Sequence, residues 1–385
     1  MNYPLEGIRV LELARVLAGP WVGQTLSDLG ADVIKIESPN GDETRKWGPP
    51  FIEGENGSLD SAYFHSCNRG KRSMVLDFKS KKDLQILNKL ILKSDVLIEN
   101  FKVGGLKKYN LDYDAVSNLN PKLIYCSITG FGQSGPYSQR LGYDFIIQGL
   151  SGIMDLTGDP DNEPQKMGVA FADIFTGLYG VIAIQSALRL REKNDRGQHL
   201  DLSLMDSMVS VLANQASNYF ASGVSPKRLG NKHPNIVPYQ VFPVKDGHLI
   251  IAVGNNEQFN RFCSVIGLDY LSSMDKYIDN NKRVKNRDEL VEIIKSKTIQ
   301  YNKKELKLLL EKNDVPVGSV NEVKDVFNDP HVKSRKLKIK MPHNSAKTNS
   351  TYGLRTPIVF SDTKLDLKRG VPLLGEHNDE ILNEL

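Results

Sequence analysis

Short apolar runs alternate with amphipathic stretches along the N-terminal half of the chain, in lengths that suit a strand followed by a helix. Ile8 to Leu13 predicts a buried strand, Pro20 to Leu29 a helix with proline in its first turn and Gly30 just past its end, and Asp32 to Ile36 a second strand. That is a βαβ unit. The alternation continues with a helix over Leu84 to Lys93, a strand over Asp95 to Glu99, a helix over Tyr113 to Leu119 and a strand over Lys122 to Ile128. Continuous apolar strands separated by helices predict an α/β fold whose parallel sheet is covered on both faces.

A longer helix is predicted from about Asp173 to Leu190, where Ile174, Leu178, Val181, Ile182 and Leu188 recur at helical spacing and charged Arg189 to Lys193 close it. The texture changes after residue 223. Ser225-Pro226-Lys227-Arg228 leads to Lys245-Asp246-Gly247, the turn of a predicted hairpin before the strand His248 to Val253, and helices follow at Arg287 to Lys297 and Lys303 to Glu311. The expected organisation is a large domain beginning with 1–223, a small α/β domain over 224–328, and a turn-rich segment, 329–385, that returns to the first domain. No internal repeat or low-complexity tract interrupts this plan.

Composition adds limits rather than a new picture. With 385 residues, 40% hydrophobic and 25% charged, the chain has the balance of a globular enzyme. A net charge of +4, from 50 basic and 46 acidic residues, is too even for a nucleic-acid footprint. Basic clusters at Arg69 to Arg72, Lys102 to Lys108 and Lys333 to Lys340 read first as solvated surface. Cys67, Cys126 and Cys263 are far apart and lack CxxC spacing, so neither disulfides nor a zinc site is expected, and a reducing compartment fits. The first apolar stretch is too short for a signal peptide or membrane span.

Two motifs carry candidate chemistry. Gly130-Phe131-Gly132-Gln133-Ser134-Gly135 matches a dinucleotide fingerprint, with Asp155 about 20 residues on. Pro136 and Gly142 interrupt the helix that should open there, so the run reads as a glycine-rich turn and not an NAD site. Asp173 lies where the extended Gly168-Val169-Ala170-Phe171-Ala172 meets the long helix. A structural N-cap is the plain reading. The functional reading is a carboxylate nucleophile kept ionised by the helix dipole and nearby amides. The seven histidines are scattered without nucleophile or metal-ligand spacing, and only His233, in Asn231-Lys232-His233-Pro234-Asn235, is kept as a candidate.

Beyond these local readings, Arg15-Val16-Leu17-Ala18-Gly19-Pro20 and Gly30-Ala31-Asp32-Val33-Ile34-Lys35-Ile36-Glu37 resemble the opening of class III CoA transferases (the CaiB/BaiF type) and their relatives, the acyl-CoA racemases. So do Asn68-Arg69-Gly70-Lys71-Arg72-Ser73, Glu99-Asn100-Phe101, Ser127-Ile128-Thr129-Gly130-Phe131-Gly132, Gly142-Tyr143-Asp144, Ala172-Asp173 and Pro372-Leu373-Leu374-Gly375-Glu376-His377. The resemblance covers essentially the whole chain. It implies a Rossmann-like large domain built from both chain ends, a smaller middle domain, and two subunits interlocked as linked rings.

It also implies roles. Asp173 falls at the family's catalytic aspartate, which carries the acyl group and then CoA through anhydride and thioester intermediates. Arg15, Val16, Ala18, Lys71, Arg72, Asn100, Phe101, Lys108 and Arg140 match its CoA contacts, and Asp144 an acid near the active centre. Racemases of the family carry Gly-His-Asp where this chain has Gly142-Tyr143-Asp144, and tyrosine is a poor base at neutral pH, which favours the transferase. Asn231 to Gln240 lacks the glycine run of formyl-CoA transferases. His233-Pro234-Asn235-Ile236-Val237-Pro238-Tyr239-Gln240, with Arg45-Lys46-Trp47-Gly48-Pro49-Pro50, resembles succinyl-CoA-dependent dicarboxylate CoA transferases of the glutarate type. Arg15 or Arg45 is then the expected partner of a distal carboxylate.

The expectation is a cytoplasmic homodimeric CoA transferase acting on an acyl-CoA and a carboxylic acid, with the mitochondrial matrix left open, and with no cofactor, metal, membrane or nucleic acid. An acyl-CoA racemase, a nicotinamide-dependent oxidoreductase and a CoA-ester-binding protein without turnover are the alternatives.

Overall fold

Six strands run parallel in the computed structural model of the chain, which describes residues 3–55, 57–343, 345–367 and 369–385. They are β1 (Arg9–Glu12), β2 (Asp32–Glu37), β3 (Arg72–Val75), β4 (Val96–Glu99), β5 (Ile124–Thr129) and β6 (His199–Ser203), in the spatial order 3-2-1-4-5-6. Helices α1 (Ala18–Asp28), α2 (Ala62–Cys67), α3 (Lys81–Leu92), α4 (Tyr113–Leu119), α5 (Asp144–Leu150) and α6 (Phe171–Asn194) lie in the connections. Val10, Val33, Val96 and Ile124 pack with Val22 of α1 and Ile184 of α6. Leu11, Ile34, Leu97 and Tyr125 join a separate core with Leu87 of α3 and Val116 of α4. Successive strand residues therefore enter different cores, which is why the inner strands are apolar without alternation.

Hydrophobic pattern alone misses β3 and β6. These are the two ends of the sheet, and polar Arg72, Ser73, His199, Asp201 and Ser203 break up their apolar runs. Two glycines let α6 approach α1. A Cβ at Gly177 would lie 3.1 Å from the Ala18 carbonyl oxygen, and one at Gly180 would lie 2.8 Å from Val22 Cγ2. The C-terminal segment returns to the sheet at its β3 edge. Asn378 Oδ1 accepts from Val75 N at 2.9 Å, and His377 N donates to the Ser73 carbonyl at 3.0 Å, so this edge is covered.

Packing divides the chain into two units. The first is Met1–Ile153 with Lys166–Gly223 and Pro330–Leu385, and the second is Met154–Gln165 with Val224–Asp329. The excursion Met154–Gln165 is not foreshadowed in the hydrophobic pattern. Within the second unit it is tied by Arg228 Nη1 donating to Asp155 Oδ1 (2.7 Å) and by Gly230 N donating to the Gly158 carbonyl (3.0 Å), contacts between distant positions that no local period encodes. That unit has an antiparallel sheet of Tyr239–Val244, Gly247–Ala252 and Val317–Ser319, with Asn256–Val265, Arg287–Thr298 and Lys303–Lys312 contributing helices to its own core.

Candidate active site

Strand order reverses between β1 and β4, and the crevice beyond the carboxyl ends of such strands is where open α/β sheets bind ligands. Asn100, just after β4, ties the two departing loops together. Its Oδ1 accepts from Arg15 N (2.9 Å) and its Nδ2 donates to the Arg15 carbonyl (2.6 Å). Val16 has a left-handed φ of 70°, a conformation that costs a β-branched residue roughly 1–3 kcal/mol. Asp42 holds it there, with Oδ2 accepting Val16 N at 3.3 Å. Strain maintained in this way points to a functional loop.

Arg15 places its guanidinium 5.3 Å from the Phe101 ring centre and 3.0 Å from Glu43. Phe101 N donates to Glu99 Oε2 at 2.8 Å, and burial pushes the Glu99 carboxyl up to about 7. Ala18 opens α1 and is buried. Lys108 and Arg140 are exposed on the loops after β4 and β5, over the rings of Tyr109 and Tyr137. The predicted residues Arg15, Val16, Ala18, Asn100 and Phe101 thus gather on one edge, with Lys108 and Arg140 on loops leaving it.

Three other predicted ligand cations have charged partners within the protein. Lys71 is fully buried, and its Nζ reaches Glu12 Oε1 (2.8 Å), the Pro20 carbonyl (2.9 Å) and Asn68 Oδ1 (2.8 Å). Arg72 turns its guanidinium to Asp32, the first residue of β2, at 2.6 Å, and to Glu384 (2.5 Å) and Glu380 (3.2 Å). Arg45 is buried, paired through two nitrogens with Glu37 (2.8 and 2.7 Å) and with Asp60 (2.5 Å). Lys71 and Arg45 could turn to a substrate only by abandoning the buried Glu12 and Glu37, whereas Arg72 is held by the part-exposed Asp32, Glu380 and Glu384. Arg45→Ala should therefore cost about 3 kcal/mol or more in urea unfolding and raise KM for diacids and monoacids alike. A rise confined to the diacid would restore Arg45 as a substrate contact.

The catalytic candidate lies beside this edge. Asp173 is the third residue of α6, one turn before Gly177, which abuts the start of α1 at Ala18. Ala170, not Asp173, is the N-cap residue. The amide of Ala172 is taken by Asp144, the first residue of α5, whose Oδ1 accepts it at 2.8 Å, while Oδ2 accepts from Gln148 Nε2 at 2.7 Å. The Asp173 carboxylate has no hydrogen-bond partner among the described residues. Part of its surface meets solvent, yet crowding dominates: burial first, and the Asp144 charge second, push it up to about 7. The expected dipole-driven ionisation does not prevail. A poorly solvated carboxylate of this kind is a reactive nucleophile once ionised.

Sequence reasoning missed Tyr63 and Gln148 and gave Trp47 no role. Tyr63 is on α2, and burial, then the charges of Asp173 and Asp144, hold its hydroxyl well above the usual phenol range, so it stays a donor near the acid pair. Trp47 meets the Tyr63 ring edge-on at 5.3 Å. Trp47 ends a single 3-10 turn and Tyr63 lies in a six-residue helix, both too short to carry a periodic signal. Tyr143 precedes α5 and is 61% exposed. His233 lies in the second unit, where its Nδ1 accepts from Asn235 N (3.1 Å) and its ring packs near Tyr239, an arrangement that shapes its own turn. Among the described residues no group of three or more His, Cys, Asp or Glu could hold a metal.

Comparison with known proteins places this geometry in context. The model of CoA-transferase family III matches residues 5–378. A succinate–glutarate CoA-transferase of Agrobacterium fabrum is 51% identical over 99% of this chain and 96% of its own length. The human succinyl-CoA:glutarate CoA-transferase is 40% identical over 99% of this chain and 86% of its own length. The crystal structure of a CaiB/BaiF family protein from Brucella suis superimposes with a TM-score of 0.89 at 56% identity, covering 100% of both chains.

Proposed function

The chain belongs to CoA-transferase family III, and from that premise we propose that it moves CoA from succinyl-CoA to a small dicarboxylic acid, with glutarate the first acceptor to test, through covalent intermediates on Asp173. The similarity to succinate–glutarate transferases supports the substrate pair. The observation that carries the mechanism is Asp173 itself: an unpartnered carboxylate among the described residues, poorly solvated and beside the strained Arg15–Ala18 loop.

In the first step an ionised Asp173 oxygen attacks the thioester carbonyl, the C–S bond breaks, and a mixed anhydride and CoA thiolate form. The thiolate then attacks the Asp173 carbonyl, releasing succinate and leaving an aspartyl-CoA thioester. The acceptor carboxylate attacks that carbonyl and expels CoA thiolate again. Attack of the thiolate on the acceptor's carbonyl completes the new CoA ester and regenerates the Asp173 carboxylate. Each step exchanges one acyl bond for another of similar energy, which makes an otherwise slow exchange accessible. The Tyr63 hydroxyl, held protonated near Asp173, would donate to the oxyanion of these steps. Phe101, Asn100 and the Arg15–Ala18 loop would hold CoA, with Lys108 and Arg140 toward its phosphates and Arg15 as the remaining cation for a distal carboxylate.

A cytoplasmic homodimer is part of this proposal. Phe145 and Ile146 of α5 and Ile182 of α6 are exposed apolar side chains on helices next to Asp173, a surface a second copy would cover. Incubation with succinyl-CoA and hydroxylamine, followed by peptide mapping, should give a hydroxamate at Asp173 that is absent from Asp173→Ala. The near-neutral proton affinity of Asp173 also suits a general base for acyl-CoA epimerisation. Entry of solvent deuterium at the acyl α-carbon, without a hydroxamate, would decide for that second reading.

A further inference from the structure

Gln148 lies on α5 one turn after Asp144 and is completely buried. Its Oε1 accepts from Met167 N at 2.9 Å, and its Nε2 donates to Asp144 Oδ2 at 2.7 Å. The orientation of the amide follows from chemistry, because the Met167 N–H can only donate and so requires the oxygen on its side. Asp144 then receives a donor on each oxygen, Gln148 Nε2 on one and Ala172 N on the other at 2.8 Å. Both oxygens of Asp144 are thus engaged, which fixes the position and orientation of its carboxylate next to the start of α6.

We propose that Gln148 is a positioning residue that clamps the Asp144 carboxylate beside Asp173 and thereby favours acylation of the nucleophile. The inference deepens, and rests on, the reading of Asp173 as the group that becomes acylated. A free Asp173 carboxylate faces the Asp144 charge; an anhydride or thioester at the same position is neutral there and does not. The repulsion that favours binding a proton favours, by about the same free energy, forming the covalent intermediate. The raised proton affinity of Asp173 agrees, with Asp144 the second cause after burial. Among the described residues, the titratable groups facing Asp173 are Asp144 from α5 and the Tyr63 hydroxyl from α2, which is held in its neutral form.

The test uses the full chain and two readouts. The ionisation midpoint of Asp173 is taken from carboxyl infrared difference spectra against Asp173→Asn, which needs no turnover. The fraction of enzyme acylated at equilibrium with succinyl-CoA comes from hydroxylamine trapping. In Gln148→Met, which keeps the volume and loses both hydrogen bonds, the midpoint should fall by about one pH unit and the acylated fraction by about tenfold. Asp144→Asn, which removes the charge at constant shape, should lower both at least as far, and adding Gln148→Met to it should move neither further. A midpoint unchanged in Gln148→Met with only a lower Tm would make Gln148 a packing residue and overturn the inference. So would a changed midpoint with unchanged acylation. Should Gln148→Met fail to fold, an Asp144→Asn enzyme with an unmoved midpoint overturns it equally. Wild-type enzyme that gives no hydroxamate at all would sink the nucleophile reading itself, a failure visible before any variant is made.

Discussion

Asp173→Asn should abolish CoA transfer and yet, at pH 8, leave a more stable protein. Loss of a covalent nucleophile typically removes roughly four orders of magnitude or more in kcat. The stability gain follows from proton linkage. The folded state holds the Asp173 proton up to about 7, against an ordinary 3.8 for an unburied aspartate. Well below the unfolded midpoint both states are protonated, and the group costs the fold nothing. Between that midpoint and the folded one the unfolded chain has released the proton while the folded protein retains it, so stability falls by up to about 1.4 kcal/mol for each pH unit, and above about 7 the folded protein carries a poorly solvated charge beside Asp144. Allowing for its partial exposure, about 2–4 kcal/mol of destabilisation is fully present by pH 8. The asparagine variant escapes that cost, so its Tm should exceed that of the wild type by several degrees at pH 8, with the difference shrinking toward zero as pH falls to about 3. Coincident melting curves at pH 8 would mean that Asp173 is not a strained, desolvated carboxylate. In the wild type the same ionisation predicts that kcat/KM rises with pH through a midpoint near 7.

Glu12→Gln is expected to produce the largest structural loss. Glu12 ends β1, is completely buried, and faces Lys35 (3.1 Å) and Lys71 (2.7 Å), both also completely buried. Its carboxylate occupies space that α1 concedes only because residue 23 is glycine: a Cβ at Gly23 would lie 1.8 Å from Glu12 Oε2. Lys35 keeps a second partner in Asp42 at 3.0 Å, but Lys71 has no other carboxylate in contact among the described residues. Removing one side of a buried pair leaves an uncompensated charge and costs about 3–5 kcal/mol. Urea unfolding should show that loss as a lower midpoint at an unchanged slope. A change below about 1 kcal/mol would show that Lys71 sheds its proton or finds another acceptor at little cost. The Lys71 ammonium is prepared for the former, since burial brings it down to about 8.

How much of the site was legible can be judged residue by residue. Asn100 and Phe101 close an apolar strand, and Arg15 to Ala18 open a helix after one. A βαβ pattern is sufficient to place both at carboxyl strand ends, where ligands bind. The internal partners of three cations were not legible, for one reason. Arg45, Lys71 and Arg72 reach partners as far away as Pro372, Glu12 and Glu384, and a local pattern records that a residue is charged, not which distant acid it will meet. Tyr63 and Gln148 stayed hidden because a lone polar side chain in an apolar context looks the same whether it packs or points at a nucleophile.

By itself the sequence determined the α/β class, the hydrophobic strands and helices, the family and the placement of Asp173 at the start of a long helix, because these depend on short-range periodicity and ordered motifs. Only the tertiary structure decided which charges are spent inside the fold, which remain for a ligand, and how firmly Asp173 holds its proton. Those properties are set by burial and by the distance to a few specific charges, and chain positions far apart in sequence become neighbours only when the sheet assembles.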